Sequence, residues 1–203
     1  MTDCDKITKD TKDMMFSLIE KSEKEKREYH IELCEDKNGN IVHSNVCAGI
    51  VYKTPKREPK KGIVTLGRVS AKKITEICQC PANTKEIGDF HTHPWHVEPS
   101  EPDIVSTASS NEQSLCIGVR DREWIEEMKS NKLVDKIVCY DITDKELLRL
   151  GKDAQELAQK GEIDKAKKKI IPMMFDRISR VRQSPFSTMP GILDIKCKMT
   201  KIR

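Results

Sequence analysis

Asp89 to Asp103 reads DFHTHPWHVEPSEPD and holds three of the chain's five histidines, His91, His93 and His96. On a strand, side chains two apart leave the same face of the sheet, so His91 and His93 can converge on one point. On a helix the same spacing makes them diverge. The flanking EIGDFHTH has strand character, with Ile87 and Phe90 apolar, and Pro94 ends it because proline cannot donate to a strand ladder. An HxH pair on a strand is a two-imidazole clamp for a transition metal.

Working outward, Pro99, Ser100 and Pro102 fit the start of a helix, with Ser100 as its cap and Asp103 in its first turn. A catalytic zinc takes three protein ligands and keeps one position open. His91 and His93 supply two, and Asp103 is the nearest sensible third. Ser100 is placed to hydrogen-bond a water or a developing oxyanion. A carboxylate general base is still needed to take a proton from water and return it to a leaving amine. Upstream, EYHIELCEDKNGNIVHSNVCAGIVY alternates apolar and polar residues on both sides of Asn38-Gly39, the signal of a hairpin. Its first strand presents Glu28, His30, Glu32 and Cys34 on one face.

HTHP followed by PSEPD resembles the JAMM motif, also called MPN+, of zinc metalloproteases that include deubiquitinating isopeptidases and their prokaryotic relatives. That pattern joins an upstream Glu to HxH, a spacer, Ser, two residues and Asp. The resemblance implies His91, His93 and Asp103 as zinc ligands and Ser100 beside the catalytic water. It implies a glutamate base at the beginning of an early strand that follows the first helix, where Glu28 stands, with Glu32 on the same face as the alternative. Six residues separate His93 from Ser100, a spacer shorter than in the eukaryotic enzymes and closer to prokaryotic and RadC-like members. The departure bears on the leaving-group side more than on the metal ligands. The implied fold is α/β, a JAMM/MPN-like (cytidine-deaminase-like) mixed β-sheet flanked by helices. The resemblance spans about Met14 to Thr143.

The remaining pattern fits around this centre. Residues 8–27 place Met14, Met15, Leu18 and Ile19 on one face of an amphipathic helix. KTPKREPKK, from Lys53 to Lys61, reads as an exposed connection, IVTLGRVS as a short strand, and SAKKITEICQC as a short helix capped by Ser70. SLCIGV and KIVCYDI read as strands separated by a helix-like REWIEEMKSNK. Three segments are expected: a metalloprotease-like domain over 1–143, a helical hairpin extension over 144–184 turning at Gly161, and an unassigned basic tail over 185–203. His30, His43 and His96 read as structural or exposed histidines. Trp95 stands where it could contact substrate or plug a loop.

Composition narrows the function. Hydrophobic residues make up 36% and charged residues 34%, the balance of a water-exposed domain with an aliphatic core. No apolar run approaches the ~20 residues of a membrane span, and the N-terminus lacks the pattern of a secretory signal. A cytoplasmic location is therefore expected, with the eight cysteines mostly as thiols. Cys34, Cys47, Cys116 and Cys139 read as small core residues, and Cys78 and Cys80 as incidental thiols. A net charge of +4 is too balanced to argue for nucleic acid. The expected activity is a Zn2+-dependent hydrolysis of peptide or isopeptide bonds in a protein substrate, including conjugates of a ubiquitin-like modifier. The alternatives are a non-catalytic metal-binding scaffold and a RadC-like nucleic-acid-associated protein. A zinc deaminase is disfavoured because its HxE and PCxxC signature is absent.

Overall fold

The computed structural model describes residues 3–51, 78–93, 97–110, 112–125, 128–181, 189 and 191–203. The expected connection at Lys53 to Lys61, the strand IVTLGRVS, residues 70–77 of the helix SAKKITEICQC, and Trp95 and His96 lie outside the described residues.

Helix α1 (Lys9–Glu25) opens on Thr8, whose side chain accepts from Thr11 N, and it buries Met15, Phe16, Leu18 and Ile19. Among the described residues, seven strands follow in one mixed sheet: β1 (Arg27–Glu35), β2 (Ile41–His43), β3 (Cys47–Val51), β4 (Lys85–Thr92), β5 (Ser114–Ile125), β6 (Ser130–Ile142) and β7 (Leu193–Ile202). The order is β2-β1-β4-β5-β6-β7, with β3 also paired to β1. The β1–β2 hairpin turns where Asn-Gly predicts it, with Gly39 at φ 79° and the Asp36 carboxylate accepting from Asn38 N and Asn40 N.

Helix α2 (Glu101–Ser109) connects β4 to β5, which are parallel; the other pairings between these seven strands are antiparallel. Two further helices, α3 (Lys145–Gln159) and α5 (Ile171–Val181), are joined through the short α4 (Ile163–Lys165) and a π-helical segment, Ala166–Ile170. Gly161, at φ 78°, sits at the reversal expected there.

Side-chain alternation along the strands divides the core in two. On one face, α1 packs over Ile31, Leu33, Phe90, Cys116, Ile137 and Cys139. On the other, α2, α3 and α5 pack over Leu115, Ile117, Val138 and Tyr140. The helices after residue 144 thus share a core with the central strands, and the basic tail supplies β7, which runs beside β6 from Leu193 opposite Ile142 to Ile202 opposite Val134. Among the described residues, no helix is long and apolar enough to cross a membrane.

Two expectations are corrected. Of the expected helix over 122–132, the described residues 122–125 and 130–132 are strand: β5 and β6 pair from Ser114 with Asp141 to Ile125 with Ser130. Its helix-like composition yields to continuous strand pairing and to a cross-strand ion pair, Arg120 Nε to Asp135 Oδ1 at 2.6 Å. The cysteines are not thiols either. All eight are paired, as Cys4–Cys197, Cys34–Cys80, Cys47–Cys78 and Cys116–Cys139. Tertiary pairing explains this: Cys116 and Cys139 are register partners across β5 and β6, and Cys4 and Cys197 meet across 193 residues of chain.

Candidate metal centre

The strand β4 ends by delivering His91 and His93 to the face covered by α2. His91 lies opposite His30 of β1. The backbone N–H of His93 donates to Gly118 O at 2.8 Å, which fixes the chain as it leaves the strand. The Nε2 atoms of His91 and His93 approach to 3.1 Å, with ring planes inclined by 55°.

Asp103 arrives from α2, and its position follows from how that helix begins. Ser100 Oγ accepts from Asp103 N at 3.3 Å while Asp103 Oδ2 accepts from Ser100 N at 2.7 Å, the reciprocal pair of a capping box. Its carboxylate then stands 3.2 Å from His93 Nε2 through Oδ2 and 3.6 Å from His91 Nε2 through Oδ1. The sequence-expected ligands therefore meet. Ser100 accepts through Oγ in the cap, which leaves its O–H to donate.

Two imidazole nitrogens and a carboxylate are a donor set that suits zinc, whose tetrahedral ligand atoms stand about 3.3 Å apart at bonds of about 2.0 to 2.1 Å: His91 Nε2 and His93 Nε2 are 3.1 Å apart, His93 Nε2 is 3.2 Å from Asp103 Oδ2, and His91 Nε2 is 3.6 Å from the other oxygen, Oδ1. Electrostatics agree with a site made to hold positive charge. Burial alone would lower the His91 imidazole, but hydrogen bonds to Asp103 and Asp89 outweigh it and raise it to about 10. Burial works against ionising Asp103 as well, and the two imidazoles overcome it to hold the carboxyl far below the usual range.

Glu28 and Glu32 leave the same face of β1 and occupy different surroundings. Glu28 is half-buried, and burial raises its carboxyl above the usual range; the charged groups acting on it are His91, His93 and Asp103. Glu32 is buried deeper in the sheet and bonds through Oε1 to His30 Nε2 at 3.0 Å. Of the two, Glu28 has the three expected ligands, His91, His93 and Asp103, as its electrostatic neighbours.

Sequence reasoning missed Asp89 and the part played by His30. Asp89 Oδ2 lies 2.8 Å from His91 Nδ1, and Asp89 Oδ1 accepts from the Thr107 hydroxyl at 3.2 Å. His30 Nδ1 stands 3.6 Å from Asp89 Oδ2, so His30 bridges Asp89 to Glu32. The signal for Asp89 was the same period of two that flagged the histidines. His43 is structural, bonded to Ser44 O and Asp10. Among the described residues, other groupings could also hold an ion, including His30 with Asp89 and His91, and Glu32 with Glu86 and Glu112. Comparison with protein-family models and with curated proteins finds no match for this chain.

Proposed function

We propose that the protein is a JAMM/MPN-like zinc metallohydrolase that cleaves peptide or isopeptide bonds, with conjugates of ubiquitin-like modifiers as the substrate class. The observation that carries this reading is the convergence of His91, His93 and Asp103 with donor separations of 3.1 to 3.6 Å, together with Glu28 beside them. When held by these three residues, zinc supplies Lewis acidity and brings the pKa of a coordinated water from about 16 to about 7.

The chain's own groups supply the rest. Asp89 accepts from His91 Nδ1–H and so keeps Nε2 turned inward as a donor. Glu28, with its carboxyl raised by burial, takes the proton of the attacking water and returns it to the leaving amine. The Ser100 O–H donates to the oxyanion that develops on the scissile carbonyl. A cytoplasmic location belongs to the same proposal; with four disulfides it corresponds to the disulfide-rich intracellular proteins known from hyperthermophiles.

The test joins metal analysis to cleavage. Purified protein is expected to carry one zinc per chain and to cleave linear or isopeptide-linked ubiquitin-like fusions in a chelator-sensitive way. Glu28→Gln should keep the zinc and lose cleavage. Zinc-free protein sinks the metal reading, and full activity in Glu28→Gln with loss in Glu32→Gln transfers the base to Glu32.

A further inference from the structure

A second group of carboxylates lies on the same sheet face, deeper along β1 and outside the proposed catalytic set. Glu32 of β1, Glu86 of β4 and Glu112, just before β5, each bring an oxygen to within 4.8 Å of the others. Glu32 and Glu112 are only 3% and 4% exposed, whereas Glu86 is exposed and opens the group to solvent. The arrangement joins three chain segments that are distant in sequence.

One oxygen of the group lacks a match. Glu32 Oε1 has His30 as its partner, but Glu32 Oε2 is buried with no hydrogen-bond partner among the described residues. Glu112 is pushed well above the usual carboxyl range by burial first, then by its hydrogen bond to Glu86 and by the charges of Asp89, Glu32 and Glu86. The charged groups acting most strongly on it are thus all acidic. A buried anionic oxygen without a partner is costly unless a counter-ion or hydrogen bond meets it. An all-oxygen donor set selects hard cations over zinc. Calcium takes several carboxylates in flexible geometry, whereas magnesium is usually held by one or two carboxylates and several waters, so a group of three glutamates favours calcium.

We propose that Glu32, Glu86 and Glu112 form a second metal site, separate from the histidine centre, for an oxygen-preferring divalent cation of calcium size. The ion meets Glu32 Oε2 and ties β1, β4 and the segment entering β5 together. The site needs nothing from the hydrolase reading: none of its three residues is an expected ligand of the histidine centre, Glu32 is there only the alternative base to Glu28, and Glu86 and Glu112 have no part in it.

Calcium titrated calorimetrically into zinc-replete protein tests this, with magnesium in parallel. One equivalent of calcium should bind, raise the thermal unfolding midpoint and outcompete magnesium. Glu86→Gln, at an exposed position that folding tolerates, should weaken calcium at least tenfold while zinc content stays at wild type. Glu32→Gln should do the same, and circular dichroism establishes that it is folded. Absence of calcium binding and of any midpoint shift at millimolar calcium overturns the proposal. So does binding that Glu86→Gln leaves unchanged, which places the ion elsewhere.

Discussion

Asp89 holds His91 from behind: its Oδ2 is 2.8 Å from Nδ1, while Nε2 of the same ring faces His93 and Asp103. The Thr107 hydroxyl, one turn along α2 from Asp103, lies 3.2 Å from Asp89 Oδ1 and 3.0 Å from Asp103 O and shares its one proton between these two acceptors. One hydroxyl therefore couples the carboxylate that orients the histidine to the helix that carries the third ligand. Partners of this kind fix the imidazole's tautomer and raise its basicity, and losing one weakens metal binding by about 10 to 100-fold. Asp89→Asn should show that loss in a chelator competition, with the fold intact by circular dichroism. Wild-type zinc affinity in the variant would deny Asp89 this role.

The disulfides make a prediction that separates them from core thiols. Native protein denatured without reductant should show no reactive thiol, and reduced protein should show eight, since all eight cysteines are paired. Cys4–Cys197 closes a loop of 193 residues, for which the chain-entropy account gives about 5 kcal/mol of stabilisation. The double variant Cys4→Ser, Cys197→Ser should therefore unfold at a distinctly lower denaturant midpoint. Free thiols in the denatured, unreduced protein would refute the pairing.

The legible parts of this chain were those governed by local rules. The period of two placed His91 and His93 on one strand face, the proline-serine pattern located the start of α2, and Asn-Gly located a turn. Each depends on neighbours within a few residues. The β5–β6 hairpin was hidden because helix-forming residues such as Glu126 and Met128 outweigh strand pattern when read alone. Its pairing is fixed across the sheet, where β6 also receives β7. The tail's strand was hidden by its lysines, a nearby glycine and a register slip between Ile195 and Cys197, which sends Leu193 into one core and Cys197 into the other. Disulfide partners and the Glu32, Glu86 and Glu112 group depend on tertiary contact, which no local window contains.

Asp144 links the helical segment to the rest of its layer. Its Oδ1 caps α3 by accepting from Leu147 N at 2.7 Å, and its Oδ2 accepts from Arg177 Nη2 of α5 at 2.7 Å. Burial opposes ionisation, but Arg177 and the capping N–H groups prevail and lower the carboxyl below the usual range. With the folded value below the unfolded one, this stabilisation is complete above about pH 4 and is lost as pH falls through the folded value. Asp144→Ala should cost about 1 to 2 kcal/mol at neutral pH, chiefly through the cap. Asp144→Asn retains capping and should cost less, because Arg177 is partly solvated and its pairing is screened. Equal losses in the two variants would reverse that ranking.

Glu112 has the opposite sign. Its folded value lies above the unfolded one because burial and the neighbouring acids favour the protonated form. The native state then binds more protons than the unfolded state between about pH 4 and its raised value, so its contribution to stability falls as pH rises across that window. Glu112→Gln keeps the shape and removes the charge. In calcium-free buffer the wild type should lose stability from pH 5 to pH 8 more steeply than this variant, as read by urea midpoints. Identical pH profiles would show that Glu112 ionises without cost.

Gly151 of α3 sits against the backbone of α2, where an added Cβ would overlap the Ala108 carbonyl. Backbone atoms cannot yield as a flexible side chain would, so the two helices must separate. Strain of this kind costs about 1 to 3 kcal/mol. The shift falls on the helix that begins at Ser100 and carries Asp103, while His91 and His93 remain anchored on β4. Gly151→Ala should therefore lower both the unfolding midpoint and the zinc affinity, although residue 151 is not among the ligands. A variant with a lowered midpoint and unchanged zinc affinity would mean that α2 yields at its C-terminal end while its capped N-terminus keeps Asp103 in place. Measuring the two quantities together shows whether the capping box alone, or the packing of α2 on α3 as well, positions the third ligand.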